Sequence, residues 1–110
     1  MSTKRFNVTG LTMINEEWGD EPDDFCIQLH CELKDGNPGG EAFVVTVMSP
    51  RVLARGLTEP NTVDWGRGCL FMRDYDASAV QEELQRFVDQ GRAKDWTELS
   101  EYVGRFFDWI

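Results

Sequence analysis

A chain of 110 residues, 41% of them hydrophobic, has enough apolar mass for one core and too little for two, so one domain over residues 1–110 is expected. Its 20 acids against 11 bases give a net charge of −9, and a surface of that sign repels phosphate backbones, so nucleic-acid binding is not expected. No stretch approaches the roughly 20 apolar residues of a membrane span, and Lys4-Arg5 has no apolar run behind it to make a secretory leader, so a cytoplasmic protein away from membranes is expected.

In chain order, Phe6-Asn7-Val8-Thr9 and the residues after it read as a strand, ended by the polar stretch from 15 to 24. Residues 25–33 alternate: Phe25, Ile27, Leu29, Cys31 and Leu33 against Cys26, Gln28, His30 and Glu32, the pattern of a half-buried strand with one side to solvent. Asp35-Gly36-Asn37-Pro38-Gly39-Gly40 is dense in turn residues. Phe43-Val44-Val45-Thr46-Val47-Met48, apolar on both faces, then predicts a central strand in an antiparallel hairpin with the one before.

Ser49-Pro50 has the form of a helix start, with Ser as cap and Pro at the first helical position. Residues 58–68 read as a loop and 69–72 as a further strand. Beyond them the period changes. Asp76 or Ser78 can cap a helix with Val80, Leu84, Phe87 and Val88 on one face, and Gly91 ends it. Asp95 with Glu98 has capping-box spacing, and Leu99, Val103, Phe106, Phe107 and Ile110 predict a second helical face. Strands first and helices last predict an α+β fold: an antiparallel sheet of about four strands with two C-terminal helices packed on one face.

Few residues suit catalysis. Cys26, His30 and Cys31 are close in sequence, but alternation splits them between two faces, and no CxxC or HxxxH spacing exists, so no metal or cofactor site is expected. The three cysteines, Cys69 being the third, read as reduced thiols. His30 is the sole histidine, and Cys26 shares its strand face, so a small hydrolase would have to use that pair; no third group is evident to orient the imidazole. Asp74 and Asp76 suit turn formation and capping better than acid–base work. The glycine-rich turn lacks the Lys-Ser/Thr ending of a phosphate loop and precedes a strand.

The acids are concentrated in one place. Glu16, Glu17, Asp20, Glu21, Asp23 and Asp24 surround Trp18 with no base among them. One reading is a solvated loop that blunts a neighbouring sheet edge. The other is a partner-binding patch that steers a basic protein and anchors it with Trp18, with the strand face near His30 adding to the contact.

Phe43-x-Val45-x-Val47-x-Ser49-Pro50-x-x-Leu53, followed by Gly66-Arg67, Asp74-Tyr75-Asp76, Trp96-Thr97-Glu98 and Trp109, resembles the immunity protein 8 family of polymorphic and contact-dependent toxin systems in bacteria. The resemblance covers roughly residues 25–110 and leaves the acidic segment outside. It implies a small, cytoplasmic, non-enzymatic protein that binds a cognate toxin domain and neutralises it by stoichiometric occlusion. Many such toxins are nucleases with basic clefts, which an acidic inhibitor would fit. The alternative is a protein-binding adaptor or regulatory domain unrelated to toxins. The matched residues look structural, so the resemblance carries no contact residues over.

Overall fold

The computed structural model describes residues 5–110, so Lys4 and the residues before it lie outside the described part. The chain runs β1 (Asn7–Trp18), β2 (Phe25–Lys34), β3 (Glu41–Met48), α1 (Pro50–Gly56), β4 (Cys69–Phe71), α2 (Ala77–Gln90), α3 (Trp96–Gly104) and β5 (Asp108–Trp109). The result is α+β, with α2 and α3 against one face of a five-stranded, mostly antiparallel sheet.

Alternation in β2 sets the layers. Phe25, Ile27, Leu29, Cys31 and Leu33 are at most 1% exposed, and Phe43, Val45 and Val47 of β3 lie beside them. Antiparallel pairing puts Leu29 opposite Val45 and Cys31 opposite Phe43, so both strands turn the same face inward. Val80, Leu84 and Val88 of α2, at helical spacing, close over that face with Leu99 and Val103 of α3. Asp76 caps α2 by accepting from the Ser78 and Ala79 amides, and Asp95 caps α3 by accepting from Glu98.

β3 is paired along both sides, as an apolar strand should be. One side carries β2; the other carries β5 beside Phe43 and Val44 and then β4 beside Thr46, Val47 and Met48. The β3–β4 pairing is parallel, because α1 and the loop after it carry the chain back before β4 begins.

Two boundaries differ from the sequence reading. β1 does not end at residue 15; it runs through Glu16, Glu17 and Trp18, which pair with Ile27, Cys26 and Phe25. Ladder hydrogen bonds to β2 outweigh the polarity of those side chains. The last helix stops at Gly104, before Phe106, Phe107 and Ile110. The chain then turns so that Trp109 pairs with Phe43, which buries Phe107 and leaves Phe106 and Ile110 exposed.

β1 is an edge strand, and its first part is covered from the side. The Val8 amide donates to Gln85 Oε1 (2.8 Å), while Gln81 and Gln85 donate to the Val8 and Phe6 carbonyls (3.3 and 3.0 Å). Register shifts follow at residues 9 and 14, and two glutamates precede the last residue of β1, Trp18. Both devices discourage a second strand from pairing there. Among the described residues no helix is long and apolar enough to cross a membrane.

Candidate partner-binding surface

The acidic segment is not one loop. Glu16 and Trp18 stand opposite the core residues Ile27 and Phe25, whereas Glu17 stands opposite Cys26 on the sheet face away from α2 and α3. The Trp18 ring packs on Phe25 (centroids 5.4 Å apart) and edge-on to Tyr75 (6.3 Å), so it is partly a structural cover and 47% exposed. Burial first, and then the Glu16 carboxylate, push the Tyr75 hydroxyl above its ordinary pKa.

Asp20 and Glu21 lie exposed on the turn into β2. Asp23 and Asp24 do not belong with them. The short helix α1 crosses that end of the sheet and supplies two bases that the local sequence lacks. Arg51 pairs with Asp23 (3.0 Å), and Arg55 grips both carboxylate oxygens of Asp24. The Arg55 hydrogen bonds hold the Asp24 carboxyl below its usual pKa. The acids of the cluster with no ion pair among the described residues are therefore Glu16, Glu17, Asp20 and Glu21.

His30 sits half-buried on the open sheet face, in a row with Thr12 and Val44. Cys26 shares that face but lies four residues back along β2, about 13 Å at a strand's rise of about 3.3 Å per residue. That is far beyond hydrogen-bond reach, so the two do not form a thiol–imidazole pair. Burial and the nearby Glu17 charge also push the Cys26 thiol up, away from the reactive thiolate. Cys69 is raised by burial and then by Asp64, and burial pushes Cys31 up to about 12. Among the described residues no group of three or more His, Cys, Asp or Glu could hold a metal.

One exposed feature lies outside the sequence expectations. In the loop between α1 and β4, Trp65 is 97% exposed and Val63 84%. The available signal was a tryptophan between Asp64 and Gly66 in a segment that, Val63 apart, is built of turn and polar residues.

These surfaces carry exposed acids, half-buried polar side chains and solvent-exposed tryptophans. A family model described as Immunity protein 8 matches residues 2–110. No curated protein and no solved structure matches the chain. The match takes in β1 and the acidic residues, which the motif resemblance, starting at residue 25, had left out.

Proposed function

Because the chain belongs to the immunity protein 8 family, we propose that it protects the cytoplasm in which it is made by binding a cognate toxin domain one to one and occluding it. The whole chain acts as one domain in this role, and no catalytic step is needed. The observation that carries the reading is the set of four carboxylates, Glu16, Glu17, Asp20 and Glu21, left without ion pairs among the described residues at one end of the sheet while Asp23 and Asp24 are neutralised. Unpaired charge of one sign on one rim speeds the approach of a partner of the other sign. A toxin with a basic cleft, as a nuclease has, is the target this surface suits. The open sheet face around His30 extends the contact from Glu17 inward.

Co-expression with the C-terminal domain of the protein encoded immediately upstream tests this. A tag on that domain should bring this protein down as a 1:1 complex that survives gel filtration. Recovery of the tagged domain alone, active and unbound, would sink the proposal.

A further inference from the structure

The loop from α1 to β4 holds an indole in water on a base that is firmly built. Arg67 donates to Asp108 (2.7 Å) and to the carbonyls of Gly104 (2.9 Å) and Phe107 (3.4 Å). Gly68 donates to the Phe106 carbonyl (2.8 Å) and accepts from the Thr46 amide (2.9 Å), while the Gly66 amide donates to Asp64 Oδ1 (2.7 Å). Gly66 and Gly68 have φ of +70° and +75°, conformations that fix how the chain passes Trp65. Trp65 borders a groove of about 620 Å³ walled by Phe87, Tyr102 and Phe106, yet at 97% exposure its ring stays in water instead of lying down there.

A tryptophan buries about 150–250 Å² when it is packed. The fold uses almost none of that area at residue 65. A side chain presented on an ordered base loses little freedom on binding, which is what makes an efficient anchor. Charge indicates what it anchors. Residues 57–66 contain Glu59 and Asp64 and no base, neither acid is ion-paired among the described residues, and Arg67 is neutralised by Asp108. Arg105 lines the groove beside the loop, so the acidic character belongs to the loop tip itself, which is apolar with two acids and complements a basic protein surface.

We propose that this loop anchors the toxin domain: the Trp65 indole enters an apolar pocket on it, and Glu59 and Asp64 face basic residues around that pocket. The inference rests on the toxin-binding reading above. Its test compares wild type, Trp65→Ala and Trp65→Phe for binding to the C-terminal domain of the immediately upstream gene product, by association and dissociation kinetics. Trp65→Ala should dissociate at least about 30-fold faster with a nearly unchanged association rate, and Trp65→Phe should recover most of the loss. The melting temperature of both variants should match wild type, because the indole supports nothing in the fold. Acrylamide should quench Trp65 in the free protein and lose access to it in the complex. Dissociation of Trp65→Ala within about threefold of wild type would overturn the anchor, as would a melt lowered by several degrees. If wild type itself fails to bind, the toxin-binding reading falls first and the anchor with it.

Discussion

Replacing Glu16, Glu17, Asp20 and Glu21 with lysine should slow association with the toxin domain by one to two orders of magnitude at low salt, while leaving the fold intact. All four side chains are exposed and none has an ion pair among the described residues, so no ion pair of the fold is lost. Each replacement changes the charge by two, so the four together take the chain from −9 to about −1 and turn four acids at that rim into four bases. Steered association gains about 10- to 1,000-fold from such fields. The gain must fade as the screening length shrinks from about 10 Å at 0.1 M salt to about 3 Å at 1 M. Stopped-flow association across a salt series checks both points. Wild type should slow steeply with salt and the variant should not, the two curves converging near 1 M. Parallel curves would remove these acids from the mechanism. Replacing Asp23 and Arg51 together with alanine should have little effect on association, since the pair carries no net charge.

The second large effect is on stability. Phe43→Ala should destabilise the protein by about 3–5 kcal/mol, a large share of the roughly 5–15 kcal/mol that holds a domain folded. Phe43 is fully buried, its ring lies 5.0 Å from Phe107 and 5.8 Å from Trp109, and its backbone pairs with β5. Removing the ring opens a cavity where three strands and the C-terminal turn converge. A thermal melt should shift down by on the order of 10–20 °C. Phe43→Leu, which keeps most of the volume, should lose less than half as much. A Phe43→Ala melt within about 3 °C of wild type would mean that β5 does not close the sheet as described.

The sequence revealed what local chemistry encodes. Alternation from Phe25 to Leu33 showed both the strand and its buried face, because every second side chain enters the core. Ser49 and Asp95 were recognisable as caps and Asp76 as one of two candidates beside Ser78, and all three accept hydrogen bonds from backbone amides where helices begin. Distant pairing was hidden. Glu16, Glu17 and Trp18 are strand residues only because β2 lies alongside. Phe106, Phe107 and Ile110 have helical spacing but follow a chain reversal that Phe43, over sixty positions earlier, stabilises. The parallel placement of three-residue β4 left no local trace.

The acidic surface was half legible for the same reason. Its composition was plain, but Arg51 and Arg55 come from another element, so telling the carboxylates they neutralise from those with no ion pair among the described residues required the fold. The motif resemblance pointed to the family, and the family match over residues 2–110 brought the acidic segment within it. Trp65 went unnoticed because nothing local distinguishes an indole presented to solvent from one folded back onto the core.

Occlusion by stoichiometric binding is tested most directly by titrating the activity of the purified toxin domain with this protein, at toxin concentrations well above the dissociation constant. Activity should fall in a straight line and vanish at one equivalent, with no further decline on standing. Full activity beyond two equivalents, or complete loss at a small fraction of one, would contradict it: the first means no inhibition, the second a protein that turns over.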